Sequence, residues 1–307
     1  MLLIGLVFPQ PVGRAHVYLR HPLPPPPWVS AGSWLVYDES LQLTIASHDA
    51  DEPRPMASTT KLMTALLTIE NTGPDEEVVI SSRAERTNFK QIGLVTGQTW
   101  TVGELLEGLV VVSANDAAVA LAEYVSGDVE AFVDAMNDRA TDLGLANTSY
   151  SNPHGFDAPD QYTSALDLLL LSRDVMRRPE FAALAATPSV TVQPVAGRER
   201  QWESTNELLT TVPGVIGVKT GKTRGAGEVL VSAAERDGRR IYVVVMGATN
   251  AARDAGALLE YGFSVFGSPG LRLRSRKGAP VEHATLMVNG RRLGLLQTWG
   301  REDGGRW

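Results

Sequence analysis

The chain of 307 residues contains no cysteine. That excludes disulfides, cysteine-ligated metal sites and a thiol nucleophile, but it leaves the compartment open, because exported bacterial proteins often lack cysteine too. A basic excess is missing as well. With 28 Lys and Arg against 35 Asp and Glu, the net charge of −7 argues against a nucleic-acid surface. No apolar run is long enough to span a bilayer. The opening "MLLIGLVF" has no positively charged n-region and is at the lower size limit of a signal core. The leucine run Leu168–Leu171 reads as core, and no internal repeat is found. What is present is ordinary for a globular protein: 43% hydrophobic and 21% charged residues, with room for one large domain or two smaller ones.

Residues 9–31 are proline-rich, and Pro24–Pro27 is expected to run as stiff polyproline II. Two readings stand for residues 1–30: a shortened or mis-started leader followed by a linker, or the disordered head of a cytoplasmic protein. Strand signals follow in "SWLVYD" (33–38) and "LTIAS" (43–47), separated by a short polar turn. Much later, 228–248 reads as a hairpin turning at Asp237-Gly238.

Between these ends the pattern is helical. Thr101-x-x-Glu104 is a capping box. "DVEAFVDAMNDRATDLG" places Phe132, Met136, Ala140 and Leu143 on one face and stops at Gly144. A further helix covers 164–178. The expected fold is α/β (α+β): an antiparallel sheet built from both chain ends and flanked by helices, with a mostly helical insertion over about 80–200. After Gly267 the composition shifts. Residues 271–278 are locally basic and the last thirty have no helical period, so 268–307 reads as a short tail or the remnant of a second domain.

Three short motifs can carry chemistry. Ser58-Thr-Thr-Lys61 opens a helix with Leu62, Leu66 and Ile69 inward, and is the only S-x-x-K in the chain. Positions i and i+3 share a helical face, so the Lys61 amine can reach the Ser58 hydroxyl. A lysine whose pKa is lowered by burial or a nearby cation can act as the base a serine nucleophile needs. Ser113-Ala-Asn115 lies at a corner between two helices, where hydroxyl and amide can face one cleft. A second S-x-N occurs at Ser204-Thr-Asn206, and spacing chooses between them. Ser113 stands 55 residues after Ser58 and 106 before Lys219, giving each motif its own element, whereas Ser204 is only 15 before Lys219, on the approach to that strand.

The third motif, Lys219-Thr220-Gly221, sits in "GVIGVKTGKTRGAG" (214–227). Its "GKT" suggests a phosphate loop, but the first glycine of G-x-x-x-x-G-K-[ST] would fall on Ile216, so the spacing disfavours a nucleotide site. As a strand, the triplet offers Lys219 and Thr220 to a carboxylate, with Gly221 allowing a substrate backbone to approach.

Taken together and in this order, the three motifs resemble the penicillin-recognising serine enzymes. The segments "ASTTKLMTALL", "VVSANDAAVALAEYV", "SNPHGF", "STNELL" and "GVKTGKTRGAGEVLV" are similar to those of the D-alanyl-D-alanine carboxypeptidases, the low-molecular-weight penicillin-binding proteins. The similarity covers roughly residues 31–266 and implies a β-lactamase/transpeptidase-like catalytic domain over 31–267.

By that resemblance, Ser58 attacks the terminal D-Ala–D-Ala bond of a peptidoglycan stem peptide and carries the acyl group, and penicillins acylate the same serine. Lys61 is the base, and Ser113 relays a proton to the leaving amine. Asn115 holds Lys61 or the substrate amide. Lys219 and Thr220 receive the carboxylate, and the backbone N–H groups of Ser58 and Lys222 form an oxyanion hole. No metal or nucleotide cofactor is implied. The substrate implies an exported, extracytoplasmic enzyme. Family members often end in an amphipathic membrane anchor, and no such helix is read here.

His154 reads as a structural histidine at a turn. Arg224 and Arg253 each have two readings, a carboxylate grip or an ordinary salt bridge. A class A β-lactamase is disfavoured, because no E-x-x-L-N segment lies between Ser113 and Lys219 and the second motif is S-A-N rather than S-D-N. A peptidoglycan endopeptidase is not separated by these motifs. A penicillin-sensing protein would usually carry transmembrane helices, which are not found in the sequence.

Overall fold

The computed structural model describes residues 15–18, 24–192, 200–265, 283–288 and 291–297. The first strand, β1 (Ala15–Tyr18), precedes the hairpin of β2 (Ser33–Asp38) and β3 (Leu43–His48). A 3₁₀ turn, Ala57–Thr60, leads into helix α1 (Lys61–Asn71). Strands β4 (Glu77–Val79) and β5 (Thr99–Thr101) form a ribbon around the single turn α2 (Ser82–Glu85). Then come α3 (Val102–Glu107), a π-helical turn (Gly108–Val112), α4 (Asn115–Ser126), α5 (Val129–Asp142), α6 (Ala165–Val175) and α7 (Pro179–Ala185). A small ribbon, β6 (Ser189–Val192) with β7 (Arg200–Glu203), and the short α8 (Leu208–Thr211) return the chain to the sheet. Strands β8 (Val215–Thr223), β9 (Gly227–Arg236) and β10 (Arg239–Ala248) are followed by α9 (Ala251–Ser264), β11 (His283–Val288) and β12 (Arg291–Gln297).

The central sheet has the order β3-β2-β10-β9-β8 and every pairing in it is antiparallel. It is assembled from both ends of the chain, as the strand signals indicate. Its inner strands are apolar on both faces because both faces are covered. On β10, Ile241, Val243 and Val245 pack with Leu258 and Leu259 of α9. The alternate residues Tyr242, Val244 and Met246 face the larger core with Leu62 and Leu66 of α1 and Leu169 of α6. This period of two across a strand is what makes a continuous apolar run compatible with a sheet between helical layers.

Within the helical part, Phe132, Met136 and Ala140 are buried along α5 as their spacing requires, while Leu143 and Ile69 are only half-buried. Helix α5 stops at Gly144, whose φ is +70°. The apolar opening residues and the basic stretch 271–278 lie outside the described residues. The absence of helical period after Gly267 has its counterpart in β11 and β12, which form a separate three-stranded sheet with β1 in parallel register to β11. Among the described residues no helix is long and apolar enough to cross a membrane.

The capping box is formed: Thr101 Oγ1 accepts from Glu104 N at 3.2 Å and Glu104 accepts from Thr101 N at 2.8 Å. Thr101→Ala should cost about 1 kcal/mol of stability. A denaturant midpoint unchanged from the parent would show that the cap contributes nothing.

Candidate active site

Edge strand β8 faces the turn that carries Ser58, and between them opens a cleft of about 760 Å³. Ser58, Ser113, Asn115, Thr220, Gly221 and Lys222 all contribute to its wall. Ser58 lies in the 3₁₀ turn rather than the first turn of the α-helix, which begins at Lys61. The 3₁₀ geometry still brings positions i and i+3 together. Ala57 before it has φ +48°, a left-handed conformation that a non-glycine residue holds only when its surroundings enforce it.

Two close approaches do so. A Cβ on Gly221 would lie 2.8 Å from Ser58 N and 2.9 Å from Ala57 Cβ, and one on Gly155 would lie 2.0 Å from Ala57 O. Gly221 lets the strand close on the serine turn, and it also forms part of the cleft wall.

Lys61 is 1% exposed, and its Nζ donates to Ser58 Oγ at 3.1 Å, Asn115 Oδ1 at 2.7 Å and His154 O at 2.6 Å. Burial, then the charges of Lys219 and Lys90, pull its pKa well below that of an ordinary lysine, with Asp116 acting in the opposite direction. Of the two partners left open for Asn115, Lys61 is in hydrogen-bond contact with it. Its orientation is fixed because Nδ2 donates to Asn88 O at 3.1 Å. The next residue, Asp116, is buried and accepts from the backbone N–H groups of Ile92, Gly93 and Leu94.

Ser113 stands in the left-handed region, φ +66°, at the corner between the π turn and α4. Its hydroxyl is buried and has no hydrogen-bond partner among the described residues. Lys219 is 2% exposed and donates to Thr220 O at 3.2 Å. Burial, with Lys90 a lesser cause, lowers its pKa to about 7. Lys222 is exposed on the cleft wall and its side chain pairs with Glu228 at 2.8 Å. The residues of the apparent "GKT" loop are the end of a strand.

Other residues fall as follows. The ring of His154 accepts from Phe156 N at 3.3 Å, and burial, with Lys61 behind it, takes its pKa to about 3. It is a turn residue, and its carbonyl is what serves the site. Arg224 is exposed on the cleft wall, while Arg253 is exposed and contributes only its backbone N–H to the Asn250 cap. Ser204 accepts from Asn206 N at 3.2 Å, a local contact, yet the same segment supplies a residue that sequence reasoning missed. Thr205 Oγ1 is hydrogen-bonded to Thr220 Oγ1. Lys90, Phe89 and Asp157 of the cleft wall were missed as well.

An antiparallel sheet whose edge strand closes on a cleft serine hydrogen-bonded to a buried lysine defines the class of penicillin-recognising serine enzymes. The sequence profile of the D-alanyl-D-alanine carboxypeptidases matches residues 22–250. A D-alanyl-D-alanine carboxypeptidase of Escherichia coli K12 is 35% identical over 272 residues, which are 83% of this chain and 68% of the relative. One from Mycobacterium tuberculosis is 33% identical over 264 residues, 83% of this chain and 87% of the relative. The crystal structure of penicillin binding protein 6B from Escherichia coli matches with a TM-score of 0.72 at 33% identity, covering 81% of each chain. The chain belongs to the D-alanyl-D-alanine carboxypeptidase family.

Gly221→Ala should push the serine turn off the strand. Displacements of this size near reacting groups cost roughly 10²-fold in rate, so D-Ala release should fall by about that factor while the protein stays folded by circular dichroism. Near-parental activity would show that the turn has room to give.

Proposed function

We propose that this chain is a serine D-Ala–D-Ala carboxypeptidase that removes the terminal D-alanine from peptidoglycan stem peptides and is acylated by penicillins. The observation that carries this reading is the set of partners of Lys61. A neutral amine has two N–H bonds and one lone pair. Asn115 Oδ1 and His154 O can only accept, so they take the two N–H bonds and turn the lone pair to the Ser58 hydroxyl. With its pKa depressed, Lys61 is able to be neutral when substrate arrives.

Ser58 Oγ then bonds to the scissile carbonyl carbon as its proton passes to Lys61 Nζ. The carbonyl oxygen gains charge between the backbone N–H groups of Ser58 and Lys222, donors of a kind worth about 3–4 kcal/mol each in the barrier. The C–N bond breaks as the leaving amine receives a proton through Ser113, whose buried hydroxyl is free to donate. Lys219 and Thr220 hold the carboxylate of the departing D-alanine. Water, activated in the same way, cleaves the ester and frees the shortened peptide and Ser58. On this reading the catalytic unit spans 31–267 and works outside the cytoplasm, where its substrate is.

Ser58→Ala should abolish both D-Ala release and the mass adduct formed with a penicillin, with the parental adduct mapping to the peptide that holds Ser58. An adduct that persists in the variant, or maps to Ser113 or Ser204, rejects the assignment.

Because neutral Lys61 is the base, kcat/KM should rise with pH through a pKa well below the ordinary lysine value. Lys219 is, after burial, the largest influence lowering that pKa. Removing its charge in Lys219→Met makes Lys61 easier to protonate and should move the rising limb to higher pH, as well as lowering the plateau. A limb that stays in place or moves to lower pH contradicts the electrostatic account.

A further inference from the structure

Two segments frame the entrance of the cleft, and they differ in kind. Residues 88–90 form its rim and are clamped from within. Asn115 donates its backbone N–H to Lys90 O at 2.8 Å and its side-chain Nδ2 to Asn88 O at 3.1 Å. The loop 151–157 is instead a wall shared by two cavities. Residues 155–157 line the cleft, whereas 151–154 line a second cavity of about 360 Å³, a size within the range of small-molecule sites. Asn152 knits the two halves of the loop together. Its Oδ1 accepts from Gly155 N at 2.7 Å and Phe156 N at 3.1 Å, and its Nδ2 donates to Phe156 O at 3.0 Å.

His154 belongs to both sides of this wall. Its carbonyl takes the hydrogen bond from Lys61 Nζ at 2.6 Å, and its side chain is part of the second cavity. Because Nδ1 accepts from Phe156 N, the neutral ring carries its proton on Nε2, and that N–H has no hydrogen-bond partner among the described residues. The loop has little slack. Pro153 O accepts from Thr64 Oγ1 at 2.6 Å, and Gly155 packs on Ala57 with no room for a Cβ. A pull on the His154 ring is therefore felt at its carbonyl.

The second cavity divides its charge. Its apolar lining is Val119 and Val129, both buried, with half-buried Val133. Arg83 forks onto Glu130 at 2.9 and 2.8 Å, and its positive charge reaches the His154 ring. Asp134, one turn beyond Glu130 on α5, lines the cavity with no ion pair or hydrogen bond among the described residues. An anion alone would face two carboxylates here. A cation alone would meet Arg83 and leave the Nε2–H unpaired. A molecule that carries both charges close together on a short apolar body satisfies both ends.

We propose that this cavity binds a small zwitterionic α-amino acid, its ammonium on Asp134 and its carboxylate on the His154 Nε2–H, and that occupation draws on the carbonyl that holds Lys61. D-alanine is such a molecule, so the level of released product acts on the lysine from behind the wall. The binding site stands apart from the carboxypeptidase reading, and its regulatory sense rests on that reading.

The test uses the protein acylated by a penicillin, which fills the cleft, and follows valine methyl signals by NMR. D-alanine should shift the methyls of Val129 and Val133 saturably, with a dissociation constant on the order of 1 mM, the scale open to so small a ligand. Propionate lacks the ammonium and ethylamine lacks the carboxylate, and each should bind roughly ten-fold more weakly or worse. Asp134→Asn, an exposed change, should weaken D-alanine to the level of propionate, and Val133→Phe should abolish binding by filling the cavity. Saturating D-alanine should slow hydrolysis of the penicilloyl ester about five-fold, the low end of coupling between two sites, and Asp134→Asn should remove that effect. No saturable shift, equal binding of the three probes, or shifts unaltered in Asp134→Asn overturns the site. Binding that leaves ester hydrolysis unchanged overturns the link to Lys61. A protein that forms no penicilloyl adduct overturns the carboxypeptidase reading, and the same titration of the free protein then decides the site by itself.

Discussion

Burying an amine is the constraint around which the site is organised. Lys61 is cut off from water, and an ammonium in such a place is strongly disfavoured unless acceptors surround it. Its acceptors come from the 3₁₀ turn, the start of α4 and the loop at His154, so three segments distant in sequence must be tied together. The ties are buried hydrogen bonds. Thr64 Oγ1 donates to Pro153 O at 2.6 Å, and Gln161 Nε2 donates to Thr60 Oγ1 at 2.8 Å. Each fixes the loop against the helix that carries Lys61, which makes the position of the His154 carbonyl a property of the core and not of the loop alone.

The charge pattern of the cleft runs against that of the whole chain. The protein is acidic overall, yet Lys90 lines the cleft and Lys61 and Lys219 are buried behind its wall, and no hydrogen bond to a carboxylate is made by any of the three among the described residues. Burial is the main cause of the lowered pKa values of both buried lysines, and the neighbouring cations add to it, Lys219 and Lys90 for Lys61 and Lys90 for Lys219. The arrangement serves two separate needs. A depressed pKa suits a base, and a confined positive field draws anionic ends into the cleft while the acidic exterior does not compete for them.

Much of this was legible in the sequence where the signal is local. The hairpin of β9 and β10 with its turn at Asp237-Gly238, the Thr101 capping box and the i, i+3 pairing of Ser58 with Lys61 each follow from a turn, a cap or a period, and each is seen in the structure. Spacing alone separated Ser113 from Ser204, and the cleft contains the former. What stayed hidden depends on contacts between distant backbones. The His154 carbonyl, the clamp of Asn115 on residues 88 and 90, and the steric demand at Gly221 leave no local pattern. The turn at Ser58 could not be told from a helix start, because 3₁₀ and α geometry place the fourth residue similarly. Thr205 was passed over because it sits between the two residues of a pattern that spacing had rejected.

One side chain, Asn115, grips Lys61 with its oxygen and the rim of the cleft with its nitrogen. Lys61 and the entrance thus behave as one rigid part. Residues 88–94, fixed at one end by Asn115 and at the other by Asp116, have no slack to absorb an insertion or deletion without turning the amide away from Lys61. Variation in what this entrance admits is therefore channelled into exchanges of single side chains on a backbone of fixed length, and the loop is a poor place to lengthen in engineering even though it lies at the surface.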